Sequence, residues 1–137
     1  MGTLRWLLAA LFLVTGALKA IDPVATAQSI ANYQLLPAAL VPLAALYVPW
    51  LEVGCGLALL TSRLRRGGWL LALLLSEAFL VFTVSALVRG LDISCGCFGT
   101  GQRGSLPWIA LLDAVMIAIS LRAVLGFARA PRDTAER

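Results

Sequence analysis

The chain has 137 residues, 61% hydrophobic and 13% charged, with a mean hydropathy of +0.92. A soluble domain is about 45–50% apolar and about 25% charged, and a chain this short has too much surface per volume to hide so much apolar side chain in its own core. That excludes a water-soluble globule and implies a bilayer as solvent. The net charge of +4 sits on arginines at the ends of apolar runs, not along a polar surface, which excludes nucleic acid, and there is no histidine to serve as base or metal ligand.

A bilayer core needs about 20 apolar residues per helix, and four runs qualify. The first is roughly Leu4–Ala20, with Lys19 near its outer end, and Asp22-Pro23 stops it. Arg5, the apolar run and Ala25-Thr26-Ala27 also have the layout of a cleavable signal, but three further spans favour an uncleaved first helix. The second run is roughly Leu36–Thr61. Pro42 and Pro49 lie inside it, so it is expected to be kinked or locally unwound. By helical rise Glu52 falls near mid-membrane. Cys55 falls in the cytoplasmic half and reads as a small buried hydrophobe, with a relay thiol as the alternative.

Arg63, Arg65 and Arg66 followed by Gly67-Gly68 make a polar turn. The third run spans about Gly68–Val88 and carries Glu77 near mid-membrane. After Arg89 comes a glycine-rich connection, Cys95-Gly96-Cys97-Phe98-Gly99-Thr100-Gly101, then a fourth run, about Leu106–Phe127. Asp113 lies about two turns below the outer surface of that last span. Helix is the only sensible assignment, because lipid offers unpaired backbone groups no water and four spans are too few for a barrel. The expected fold is therefore all-α: a polytopic membrane four-helix bundle over residues 1–128, with 129–137 as a short tail. Trp50, Trp69 and Trp108 mark the interfaces or pack the bundle. Association with partners or into an oligomer is expected of so small a bundle, although Gly54 and Gly56 stand too close for a Gly-x-x-x-Gly face.

Basic residues favour the cytoplasmic side. One face carries Arg5, Arg63, Arg65, Arg66, Arg129, Arg132 and Arg137, and the other Lys19, Arg89 and Arg103. The bias puts both termini in the cytoplasm and the cysteine connection outside.

Ionisable groups at bilayer depth are costly and face the bundle interior. Glu52, Glu77, Asp113 and Lys19 are the candidates. Two carboxylates at one depth tend to hold a proton between them, which suits proton coupling or a quinone headgroup. The plainer alternative is a structural network of Glu52, Glu77, Thr15, Ser76 and Arg122.

Cys95 and Cys97 are one residue apart, and Gly96 and Gly99 give the backbone freedom to bend between them. A ring so small staples almost nothing, and strained, exposed disulfides are the exchangeable kind. An extracytoplasmic position is where disulfides persist. Redox exchange, a soft-metal site for Cu(I), a structural disulfide and an inert pair all remain open on the residues alone.

Leu11-Phe12-Leu13-Val14-Thr15-Gly16 with Lys19, Leu35-Leu36-Pro37, Pro49-Trp50-Leu51-Glu52, and Arg89-Gly90 leading into Cys95-Gly96-Cys97-Phe98-Gly99 form a further pattern from Leu4 to Arg122. Through it the chain resembles the MauE branch of the DoxX-like membrane proteins, and Cys-Gly-Cys-Phe-Gly is the most specific part. The resemblance implies a four-helix membrane fold and redox maturation of exported proteins. In the name-giving member the client is the disulfide-rich small subunit of methylamine dehydrogenase, with a thioredoxin-like partner. It points to Cys95 and Cys97 as the exchanging thiols, supported by Gly96, Phe98, Gly99 and the flanking Arg89 and Arg103, whose charges favour a thiolate. Client and substrate do not transfer with the fold. Rival readings are a membrane assembly scaffold, a Cu(I) carrier and a subunit of a quinone-linked oxidoreductase.

Overall fold

A computed structural model describes residues 2–91 and 106–129. These form five helices and no strand: α1 Gly2–Ile21, α2 Pro23–Asn32, α3 Val41–Leu60, α4 Arg65–Val88 and α5 Leu106–Arg129. Four of them, α1, α3, α4 and α5, are long and apolar enough to cross a membrane. At 1.5 Å per residue, 20 residues cover about 30 Å, the thickness of the hydrocarbon core. The chain is thus a multi-pass membrane protein built as an all-α bundle.

The expected four spans are present, with two differences. Asp22-Pro23 not only ends α1 but begins α2. Asp22 accepts from the Ala25 N–H at 2.9 Å as an N-cap, and Pro23 takes the first helical position, where its missing N–H costs nothing. Thr26 is buried and donates to the carbonyls of Lys19 and Asp22, both at 3.0 Å, which folds α2 back over the end of α1. The second span starts at Val41 rather than Leu36, because Pro37 pushes Leu36 out of the helical region and the chain turns through 33–40. Pro42 therefore sits in the first turn of α3, and only Pro49 is internal, in a helix that stays continuous.

α1 packs on α3, α3 on α4 and α4 on α5, while α2 lies against α3 and α1. Glycine allows the closest approaches. A Cβ at Gly16 would come within 2.8 Å of the Pro49 carbonyl and 2.9 Å of Glu52 Cβ, and one at Gly56 within 2.9 Å of the Ala9 carbonyl. Small residues let membrane helices close up where lipid gives no hydrophobic drive between them. The core then fills with Leu8, Phe12, Cys55, Leu59, Trp69 and Met116. Trp69 thus packs the bundle, while Trp50 and Trp108 face outward.

A second cluster lies at the end covered by α2, where Tyr33, Ala86 and Ile109 are buried together. Tyr33 and Phe82 meet edge to face, with centroids 5.5 Å apart, a favoured aromatic geometry. Gly90 ends α4 with φ +62°, and the Leu91 N–H bonds the Ala86 carbonyl at 3.0 Å. This left-handed cap is one glycine adopts without a steric penalty.

Candidate functional site

Gly16 brings α1 so close to α3 that the side chain one turn further along α1 is carried over the middle of α3. Lys19 Nζ meets Glu52 Oε1 there at 2.5 Å. Glu52 is completely buried and the Lys19 side chain is 11% exposed. The ammonium also lies 4.7 Å above the centre of the Phe79 ring on α4, a cation–π contact that desolvation strengthens. Glu52 Oε2 is buried with no hydrogen-bond partner among the described residues. The pair answers the cost of a charge at bilayer depth in the usual way, by pairing inside the bundle.

A second polar group lies nearer the α2 end. Asp113 of α5 is buried, and the Thr83 hydroxyl, which donates to the Phe79 carbonyl at 2.9 Å, stands 3.5 Å from its Oδ2. Tyr33, at the end of α2, joins this group. Burial, then the nearby Asp113 carboxylate, push its phenol above the ordinary value, while a hydrogen bond with Thr83 opposes them. Between the two polar groups, under α2, a cavity of about 290 Å³ is lined by Lys19, Tyr33, Thr83, Val48, Phe79 and Phe82, among others. Its walls are apolar, and its few polar groups come from three helices.

The expected intramembrane residues therefore divide. Lys19, Glu52 and Asp113 point inward, but Glu77 faces outward. The buried stripe of α4 runs through Trp69, Ala72, Leu75, Ser76 and Thr83, and Glu77 lies one residue, about 100° of helix, off Ser76. Glu52 and Glu77 do not pair, and Glu52, the one of the two that faces inward, takes a lysine instead. Arg122 is exposed and Ser76 has no hydrogen-bond partner among the described residues, so neither joins a network with Glu52. Thr15 is buried and turns its hydroxyl to the Leu11 carbonyl at 2.9 Å.

Arg89 holds the turn after α2. It donates to the Tyr33 carbonyl at 3.0 Å and to the Gln34 carbonyl and side-chain oxygen at 3.2 Å each. Cys55 is fully buried, with its thiol 3.5 Å from the Gly68 carbonyl, as expected of a small core residue. Cys95, Gly96, Cys97, Phe98, Gly99 and Arg103 lie outside the described residues. The connection that holds them leaves from Leu91 and returns at Leu106, both at the end covered by α2. Among the described residues no group of three or more acidic or cysteine side chains is arranged to hold a metal.

Sequence reasoning missed α2, the role of Tyr33 and the partner of Lys19. The Asp-Pro dipeptide is a legible helix start, and a lysine one turn beyond a glycine contact needs a carboxylate on the facing helix.

Compared with known proteins, the chain matches the family model described as methylamine utilisation protein MauE over residues 1–128. The methylamine utilization protein MauE of Methylophilus methylotrophus is 43% identical over 72 residues, which cover 50% of this chain and 36% of that protein. The aligned stretch thus spans about a third of that relative's length. No solved structure matches the chain.

Proposed function

The chain belongs to the MauE family, and from that premise we propose that it is a membrane protein of redox maturation, working by thiol–disulfide exchange through Cys95 and Cys97. The observation that carries this reading is that the matched residues 1–128 include the Cys95-Gly96-Cys97-Phe98-Gly99 connection between the last two spans. The family's name ties it to methylamine utilisation, and the client here is an exported protein that needs its disulfides made or reshuffled.

In the exchange, a thiolate at Cys95 or Cys97 attacks a disulfide sulfur of a thioredoxin-like partner. One partner sulfur leaves as a thiolate and a mixed disulfide forms. The neighbouring cysteine then attacks it, which releases the partner as a dithiol and leaves Cys95–Cys97 oxidised. Run backwards, the same steps oxidise the partner. The orientation proposed for this chemistry places both termini in the cytoplasm and the cysteine connection outside, supported by Arg5, Arg63, Arg65, Arg66 and Arg129 at the opposite end of the bundle from α2.

The decisive experiment traps thiols in intact cells with a membrane-impermeant maleimide. Labelling of Cys95 and Cys97 from outside after reduction, and a mixed disulfide that accumulates in Cys97→Ser, are the expected results. Labelling only after permeabilisation overturns the orientation. Full function in Cys95→Ser/Cys97→Ser replaces the exchange reading with a scaffold, and Cu(I) bound stoichiometrically and lost in Cys95→Ser replaces it with a metal carrier.

The cavity under α2 favours a second reading, a quinone-linked oxidoreductase subunit. Its aromatic walls, Tyr33, Phe79 and Phe82, suit a flat ring. Lys19 carries N–H donors for ring oxygens, and the Glu52 and Asp113 carboxyl groups stand behind Lys19 and Thr83. A quinone supplies a two-electron, two-proton acceptor. Quinone-dependent turnover that survives loss of both cysteines and is lost in Glu52→Gln separates this reading from thiol exchange.

A further inference from the structure

α1 and α5 do not pack closely on one another, although each packs on an inner helix, and this leaves a seam that at the end away from α2 is not covered by a further helix. The open seam holds a crevice of about 500 Å³, lined by Arg5 of α1, Arg65 and Trp69 of α4, and Ala123, Gly126 and Phe127 of α5. Trp69 is 2% exposed and belongs to the core cluster beneath it.

The crevice concentrates positive charge. Arg5 and Arg65 both have an Nε withdrawn from solvent and without an acceptor among the described residues. Buried donors in native structures are paired, so two of them on one crevice call for an acceptor from elsewhere. Arg65 and Arg66 stand 5.6 Å above the Phe127 ring, which holds both cations at the rim. Among the four described carboxylates, Glu52 is paired with Lys19, Asp22 and Asp113 belong to the α2 half of the molecule, and Glu77 faces outward about three turns along α4 from Arg65. None neutralises the arginines.

We propose that this crevice binds the phosphate of an anionic phospholipid, with Arg5 and Arg65 as the clamp and the acyl chains along the α1–α5 seam. Guanidinium groups bind phosphate oxygens through paired, charge-assisted hydrogen bonds. Basic pockets between spans are suited to lipid headgroups because they lie at headgroup depth. The crevice sits at the ends of helices apolar enough to span the bilayer, which favours a lipid phosphate over a free one. The site is at the other end of the bundle from the cysteine connection and stands independently of the thiol chemistry.

The test uses the purified full chain in neutral detergent, with phosphatidylglycerol and phosphatidylcholine compared by native mass spectrometry. Phosphatidylglycerol should be retained about tenfold or more over phosphatidylcholine, as two arginine contacts imply. The preference should vanish in Arg5→Gln/Arg65→Gln and persist in Arg63→Gln, a turn residue outside the crevice. Arg65→Lys, which keeps the charge but loses the fork, should weaken the preference without abolishing it, and it guards against a double variant that fails to fold. Equal retention of the two lipids by the unaltered chain overturns the proposal, as does a preference lost equally in Arg63→Gln. Complete displacement of the lipid by millimolar inorganic phosphate assigns the site to a free anion instead.

Discussion

Lys19 on α1 and Glu52 on α3 form an ion pair in the middle of the bundle, with the carboxylate fully buried and the ammonium set over Phe79. Breaking a buried pair on one side leaves the other charge without a partner, at a cost of about 3–5 kcal/mol. Lys19→Met and Glu52→Leu should each lower the unfolding temperature in detergent sharply. The double variant should recover most of the loss, because apolar groups of similar volume replace a buried pair at little net cost. Thermal melts of the three variants check this, and additive losses in the double variant would show that the pair is not coupled.

Gly16 sets the distance at which that pair forms. A Cβ there meets the Pro49 carbonyl at 2.8 Å and Glu52 Cβ at 2.9 Å. Backbone atoms cannot swing aside, so Gly16→Val should destabilise by about 1–3 kcal/mol, the usual range for overpacking. Gly54, where an added Cβ meets nothing within 4 Å, should accept alanine with little change. Parallel melts of Gly16→Val and Gly54→Ala provide the comparison.

Arg89 clasps Gln34, whose φ of +51° is a left-handed conformation in a residue that has a Cβ. Such a conformation costs roughly 1–2 kcal/mol. Arg89→Ala should loosen the turn between α2 and α3, seen as faster hydrogen exchange at 33–40. Gln34→Gly should restore much of the protection in the Arg89→Ala background, because glycine adopts that conformation without strain. In the unaltered background the gain should be smaller, since the side-chain bond to Arg89 is lost. A double-mutant cycle isolates the coupling.

Tyr33 should titrate above the ordinary phenol value of 10.0, because burial and then the Asp113 carboxylate disfavour the phenolate. In the unfolded chain the phenol loses its proton first, so stability from this group is whole below pH 10 and is lost as pH rises through the raised value. The tyrosinate absorbance missing from Tyr33→Phe relative to the unaltered chain should appear above pH 10. The variant should also lose less stability on going to high pH. A difference titration centred at or below 10.0 would contradict the buried position of the ring.

The number of spans, their helical character and the uneven placement of arginines are legible in the chain alone. Each depends on a property of one segment: an apolar run long enough for the hydrocarbon core, or charges beside it. The start of α2 was legible too, in Asp22-Pro23, although it reads first as a stop. What tertiary structure decided is the rotation of each helix about its axis. α3 and α4 are apolar on most sides, so composition does not say whether Glu52 or Glu77 turns inward. The contacts at Gly16, Gly56 and Gly68 decide it, because they admit backbone at short range in one register only. That register buries Glu52 against Lys19, leaves Glu77 outside, and joins Asp113 to Thr83 and Tyr33 across three helices. Depth is a one-dimensional property and can be counted along a sequence; facing is a relation between two helices and exists only once they pack.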